Sequence, residues 1–347
     1  MIELLFRLFR RTGRLLTRQW LAPLIFFVSI FVYSTTGYMY FEVAAKPDLI
    51  WTDAAWWAVV TMTTVGYGDY FPESGAGRLL VGVPTMLLGV SILGYLLSLL
   101  ATAIMESRLK EVQGMTQIRI SDHILVCRYK GLGPTLKLLD ELSSDSSTRN
   151  AGVVLVDADL EEIPAELRSR GVQFVRGDPS RESVLEQANF REARVALIQA
   201  DLADPAHTDE KNLAVALAIE RLCPEVFTVV HCVDPERAVF FERAGCDSVV
   251  CPESLSSQLV VQELQDPGVH EVVAELTSNT EGKQFYIVDL PSESTTAGEL
   301  AAACERRSAA FVGLRRGGKS LLLPEPGTPL EPGDRAVIIA RSRPEGL

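Results

Sequence analysis

Thr61-Met62-Thr63-Thr64-Val65-Gly66-Tyr67-Gly68-Asp69 decides how this 347-residue chain is read. Gly66 and Gly68 lack a Cβ, so the backbone through them can alternate between conformations that L-residues and positive-φ residues prefer. Alternation of that kind turns successive carbonyls to one side, where their oxygens replace the water shell of a dehydrated ion. Thr64 adds a hydroxyl ligand at the inner mouth, while Val65 and Tyr67 turn their side chains away to pack behind. Four copies around an axis complete an ion queue.

The rest of the composition sets the frame. Asp and Glu outnumber Lys and Arg 45 to 33, a net charge of -12, which argues against a nucleic-acid partner. Hydrophobic content is 47%, so membrane character must be local. Trp20–Phe41 and Leu79–Met105 carry no charge, and each exceeds the roughly 20 residues needed to cross a bilayer. All six cysteines lie beyond them, in spacings that fit no zinc pattern. They read as buried thiols in a reducing compartment.

Around the quoted stretch the chain organises as a pore domain over 20–107. Residues 1–19 hold Arg7, Arg10, Arg11, Arg14 and Arg18 against Glu3, with leucines at near-helical spacing. They predict an amphipathic helix on the inner membrane surface and a cytoplasmic N-terminus. The first span covers 20–41. A polar connection follows on the outer side, and Thr52 is expected to cap a pore helix over 53–62, favoured by Asp53 in its first turn. That helix is too short to span, and non-helical backbone at membrane depth needs surrounding protein or water. Trp56 and Trp57 on this helix are candidates to brace Asp69 through an indole N–H. The second span covers 79–105 and contains Gly82, Pro84, Gly89 and Gly94, which permit bending or close packing. Residues 108–118 read as a linker.

From Ser121 onward short apolar runs alternate with amphipathic segments, the pattern of a doubly wound parallel sheet over 119–252. Its first strand leads into Cys127-Arg128-Tyr129-Lys130-Gly131-Leu132-Gly133, and Asp157 ends the second strand, the layout of a dinucleotide-binding βαβ unit. With Gly133 as third glycine, Arg128 and Lys130 occupy the first two glycine positions. Such cations either grip a phosphate or fill the site. Asp157 is the expected ribose acceptor, with Gly131, Gly133 and Asp178 lining the same edge. Asp201, Asp204, Asp209 and Glu210, with Asp178 nearby, are candidate oxygen ligands for Ca²⁺; the alternative is a solvated acidic loop before Lys211. Residues 253–268 read as a crossing helix and linker, and 269–347 as a small α+β lobe. The fold class is thus membrane α, then a Rossmann-like α/β domain, then an α+β lobe.

Thr64–Gly68 resembles the potassium-channel signature residue for residue, and Arg119–Arg341 resembles a regulator-of-potassium-conductance (RCK) domain. That resemblance implies a potassium-selective, ligand-gated channel subunit, not an enzyme, in a prokaryotic inner membrane with both termini cytoplasmic. It implies a homotetramer under a gating ring, pairing through Glu253–Leu264. Soluble copies initiated at Met115 are a further partner. Ca²⁺, NAD or another adenine nucleotide are the implied ligands, and K⁺ the permeant ion. A tryptophan–aspartate bond behind the filter is common in the family, although Val60 stands where some members carry an acid. Gly89, Gly94 or Pro84 would be the gating hinge. Two other classes compete with this one. A membrane-anchored dinucleotide oxidoreductase leaves the filter without purpose, lacks two glycines and has only scattered histidines. A potassium transporter subunit would ordinarily carry four linked repeats with degenerate filters.

Overall fold

The computed structural model describes residues 18–201, 204–280, 282–290 and 295–344, and its chain divides into two compact units, 1–109 and 110–347. The amphipathic helix expected over 1–19 falls almost wholly outside the described residues.

In the first unit, α1 (Arg18–Glu42) and α2 (Trp51–Met62) precede a π-helical turn (Gly77–Gly82) that runs into α3 (Val83–Val112). Leu21–Glu42 and Gly77–Val112 are both long and apolar enough to cross a membrane, with mean hydropathy 1.5 and 2.2. Only 11% of the apolar window in the second is buried in this chain, far too little for the core helix of a soluble domain. Tyr38, Ala54, Trp57, Ala58 and Val81 form one small core, and Ile30, Met62 and Ile92 another.

Three local expectations are corrected here. α2 begins at Trp51 and Ile50 is its N-cap, so Thr52 lies inside the helix; Asp53 Oδ2 instead accepts from Ile50 N at 3.5 Å. α3 continues to Val112, because Glu106–Val112 are good helix formers that keep the ladder going. Residues 112–118 are stitched to the second unit and are no free linker. Ile163 N donates to Val112 O, Arg176 N to Gly114 O and Ile118 N to Gln187 O. Pro84 has no N–H to offer Leu80 O, and the π-helical turn relaxes the ladder just before it. The Tyr33 hydroxyl donates to that same Leu80 carbonyl.

The second unit carries six parallel strands: β1 (His123–Cys127), β2 (Val153–Asp157), β3 (Gln173–Arg176), β4 (Ala193–Ile198), β5 (Phe227–His231) and β6 (Ser248–Val250). Their order is β3-β2-β1-β4-β5-β6, the doubly wound arrangement whose crevice opens between β1 and β4. Every residue of β1 is buried, as expected for a central strand covered on both faces. Helices α4 (Leu132–Ser144), α5 (Ala165–Ser169), α6 (Glu182–Gln187), α7 (Pro205–Leu222) and α8 (Ala238–Ala244) make the crossovers. α9 (Pro252–Gln265) has no buried residue and exposes Leu255, Val260, Val261 and Leu264; α10 (Val269–Thr277) follows it. The last lobe is an antiparallel sheet of β7 (Gln284–Asp289), β10 (Arg335–Ala340), β8 (Ala310–Arg316) and β9 (Lys319–Leu322), in that order, with α11 (Ala297–Arg306) packed on it through Leu300 and Cys304.

Candidate functional site

Two places hold chemistry, one in each unit. In the first, α2 ends at Met62 and its C-cap Thr63 donates N–H to Val59 O at 2.9 Å. Val65 N and Gly66 N both fold back onto Val60 O, at 3.0 and 3.3 Å. Past that anchor the backbone alternates: Thr64 has φ 61°, Gly66 φ 57° and Gly68 φ 77°. Every second residue is left-handed, the conformation that glycine tolerates and that costs an L-residue such as Thr64 about 1–2 kcal/mol. No Cβ at 66 or 68 would touch anything in this chain. Their glycines are demanded by backbone conformation and not by crowding.

Trp56 Nε1 donates to Asp69 Oδ2 at 2.8 Å, and its ring stacks on Tyr67 with centroids 5.9 Å apart. Trp57 does otherwise: it is buried and stacks on Tyr38 at 4.5 Å. Of the two tryptophans only Trp56 touches the filter, because adjacent residues on a helix point about 100° apart.

The loop after the filter is held by residues that sequence reading passed over. Fully buried Glu42, the last residue of α1, accepts from Glu73 N (2.9 Å), Ser74 N (3.2 Å) and Ser74 Oγ (2.6 Å). Lys46 Nζ reaches Phe71 O at 2.9 Å and Glu73 at 3.0 Å, and Tyr38 Oη reaches Phe71 O at 3.2 Å. A Cβ on Gly77 would lie 2.4 Å from Glu42 Oε1, so this cradle also fixes that glycine. The one available signal was an acid closing an otherwise uncharged span.

The three hinge candidates sit in different surroundings. A Cβ on Gly89 would lie 2.7 Å from Met62 Cα, so Gly89 is where α3 packs against the end of the pore helix. Gly94 has open space around it, and Pro84 follows the π-helical turn.

In the second unit the β1–α4 loop carries the cations. Arg128 has φ 78°, the left-handed conformation expected at a first glycine, and Gly131 has φ 99° as N-cap of α4. Arg128 Nε donates to Asn212 Oδ1 at 2.8 Å, and Asn212 is held in turn by Gln199 O. Lys130 Nζ lies 2.7 Å from His231 Nδ1, at the end of β5. Burial lowers the pKa of Lys130; burial and the lysine's charge together lower that of His231. Both side chains therefore cross the carboxyl ends of the strands, and each hydrogen-bonds a neutral group there.

Asp157 is only 9% exposed and its carboxylate is already used, accepting from Tyr129 N, Asp159 N and Leu160 N at 2.7–2.9 Å. As placed, it ties the β1–α4 loop to the end of β2 instead of facing open space. Asp178 accepts from Ser180 N and Oγ at 2.9 and 2.8 Å. Burial pushes its carboxyl up, but those bonds and the charges of Arg128 and Arg181 outweigh it and hold the pKa below the usual range.

The expected Ca²⁺ cluster is not assembled. Among the described residues no group of three or more His, Cys, Asp and Glu is arranged to hold a metal. Asp209 is buried and accepts from Val233 N and Asp234 N. Asp204 pairs with His207 and Lys211, and Glu210 with Arg237. Asp201 donates its backbone N–H to Thr208 Oγ1 at 2.8 Å. Asp209 and Glu210 are neighbours on α7 and face different directions, while Asp178, Asp201 and Asp204 lie outside its turns.

Residues 25–106 match the ion channel family model and residues 131–252 the TrkA-N domain model. Potassium channel protein 1 of Methanocaldococcus jannaschii is 23% identical over 298 residues, which cover 84% of this chain and 85% of that protein. The calcium-gated potassium channel TvoK of Thermoplasma volcanium is 24% identical over 302 residues, covering 84% and 82%. The human SLO3 gating ring is similar in structure with a TM-score of 0.50 at 14% identity, over 63% of this chain and 44% of that one. The chain spans 60% or less of the solved GsuK chains that it also matches, so the structural likenesses concern fold. These relatives are named as potassium channels, not as enzymes. An ion-channel segment joined to a TrkA-N domain makes this chain a homologue of the prokaryotic potassium channels that carry RCK domains.

Proposed function

We propose that the chain is one subunit of a tetrameric, potassium-selective channel in a prokaryotic cell membrane, with its second unit in the cytoplasm as part of a gating ring. The observation that carries this reading is the left-handed backbone at Thr64, Gly66 and Gly68. With every second residue inverted, the carbonyls of 64–68 face one side, and four such chains make stacked oxygen rings around K⁺. Trp56 holds Asp69 and Tyr67 from behind, while the Glu42 cradle fixes the loop beyond. The carboxyl end of α2 points its negative dipole toward the same place, favourable to a cation. The exposed apolar side chains of α9 support pairing between second units.

The gating ligand we infer is a phosphate-bearing nucleotide in the β1/β4 crevice. Arg128 and Lys130 lie at the carboxyl ends of the strands with neutral partners, and nothing within 4 Å would touch a Cβ at Gly131 or Gly133. An anion would meet both cations and the amino end of α4. The name of TvoK favours Ca²⁺, but among the described residues the acids expected to bind it do not gather into a group that could hold a metal. The ligand opens or closes the pore only if it binds the two ring states with different affinity.

Purified full-length protein in planar bilayers tests both parts. We expect K⁺ current that responds to NAD⁺ or ADP on the cytoplasmic side, and a Lys130→Met channel that conducts but no longer responds. Wild-type current indifferent to every nucleotide would overturn the ligand. Absence of K⁺ current from a folded tetramer would overturn the pore.

A further inference from the structure

Cys232 and Cys251 stand at the ends of neighbouring strands. β5 and β6 are parallel, with Val230 opposite Val249 and His231 opposite Val250. Continuing that register by one residue sets Cys232 opposite Cys251, and Cys232 N donates to Val250 O at 2.9 Å. Facing residues on adjacent strands are about 4.8 Å apart, inside the roughly 4.4–6.8 Å Cα separation that disulfides require. The two side chains enter the same core cluster, Cys232 fully buried and Cys251 half-buried, and both are free thiols. Cys251 is also the N-cap of α9.

We propose that Cys232 and Cys251 form a reversible intramolecular disulfide when the protein meets a hydroperoxide, fastening the start of α9 to the end of β5 beside His231. Burial pushes the Cys232 thiol well up, with the charge of Asp209 and the contact with Cys251 adding to it, so the half-exposed Cys251 takes the oxidant. Its thiolate attacks the peroxide O–O bond, giving Cys251 sulfenic acid and releasing hydroxide, which takes a proton to become water. Cys232, whose thiol donates to Asp234 O at 3.0 Å, then attacks the Cys251 sulfur and gives up its proton as the S–S bond forms. The S–O bond breaks, the departing hydroxide collects that proton, and the balance is two thiols and one peroxide to one disulfide and two waters. A dithiol reductant reverses it by exchange. Disulfides in reducing compartments are ordinarily of this transient, sensing kind.

The test is peptide mapping of the full-length protein in detergent, treated with hydrogen peroxide, acid-quenched, denatured and alkylated. The proposal predicts one linked peptide pair, lighter by two hydrogens, joining Cys232 to Cys251. Both sites lose alkylation together and dithiothreitol restores both. In Cys251→Ser, Cys232 stays alkylatable, whereas Cys223→Ser leaves the linkage unchanged. Oxidation of Cys251 to sulfinic acid while Cys232 still alkylates, or a Cys251 linkage to a second chain, would overturn it. The readout does not depend on conduction, so its failure and that of the channel reading are separable.

Discussion

The filter loop and the β1–α4 loop solve a similar problem with opposite means. Both are short, both bring backbone to a would-be ligand, and both contain residues in left-handed conformation. In the filter the inverted positions beyond Thr64 are glycines, and the proposed ligating atoms are carbonyls. In the crevice the first inverted position is Arg128, and the groups proposed to meet a ligand are the side chains of Arg128 and Lys130, which here bond Asn212 and His231. A site made of backbone is specified by where side chains are missing. A site made of side chains tolerates a strained non-glycine because that residue's charge is useful there, at a cost of about 1–3 kcal/mol.

The sharpest way to break that contrast is Gly66→Ala. A Cβ there finds no steric clash in this chain, so only the left-handed backbone opposes it, by about 1–2 kcal/mol per copy. Potassium-selective current should vanish in bilayer recordings while the tetramer still assembles; wild-type current from Gly66→Ala would show that the inversion is unnecessary.

On the other side, Lys130→Met keeps length and removes charge. Nucleotide affinity should fall at least about tenfold, since a hydrogen bond from a charged group is worth about 1.5–3 kcal/mol, and calorimetry on the full chain reads it. The pH dependence has a definite sign. Burial lowers the pKa of Lys130, so the ammonium is lost below the pH at which an ordinary lysine deprotonates, and affinity for an anion should weaken as pH rises into that alkaline range. Unchanged affinity in Lys130→Met would remove the lysine from the site.

Trp56→Phe is a smaller probe of the filter. It deletes the N–H that reaches Asp69 and retains the ring against Tyr67. The bond is exposed in this chain, so about 1 kcal/mol is at stake, seen as a several-fold rise in Na⁺ permeability relative to K⁺. Trp57→Phe should leave selectivity alone, because its ring packs on Tyr38.

The last expected effect, on stability and not on conduction, concerns His123, on the strand that carries the crevice loop. It is fully buried, and neither ring nitrogen has a hydrogen-bond partner among the described residues. Burial lowers its folded pKa from 6.5, against the weaker pull of nearby backbone oxygens at Ala188 and Ile120. The folded state therefore resists a proton that the unfolded state accepts. Stability is complete above about pH 6.5 and declines as pH falls below it, by no more than about 1.4 kcal/mol per pH unit. Hydrogen exchange at the β1 amides should show that acid slope in the wild type and a flatter one in His123→Phe.

What could be read in the sequence follows the same division. The two apolar helices, the parallel α/β domain and the small terminal lobe were legible because they are written in periodicity: uncharged runs and apolar strands between amphipathic helices. Trp56 was legible as one of two indoles, and only packing against Tyr38 told it from Trp57. Asp157 was legible in place, but not its bonds from the amides at 129, 159 and 160, which tie two loops together. The acidic run misled because the sequence does not show that Asp209 turns inward to cap residues 233–234 while Glu210 turns out to Arg237. Glu42 was passed over because its partners, 73 and 74, are more than thirty residues away. His231 reaches Lys130 only through the strand order, with no motif to announce it.

The most direct measurement is the reversal potential of purified full-length protein in a planar bilayer with K⁺ on one side and Na⁺ on the other. A backbone filter alternating at Thr64, Gly66 and Gly68 predicts a reversal potential set by K⁺, and loss of that current in Gly66→Ala. A reversal near zero, with Na⁺ passing as freely as K⁺ through wild-type tetramers, would contradict the account at its centre.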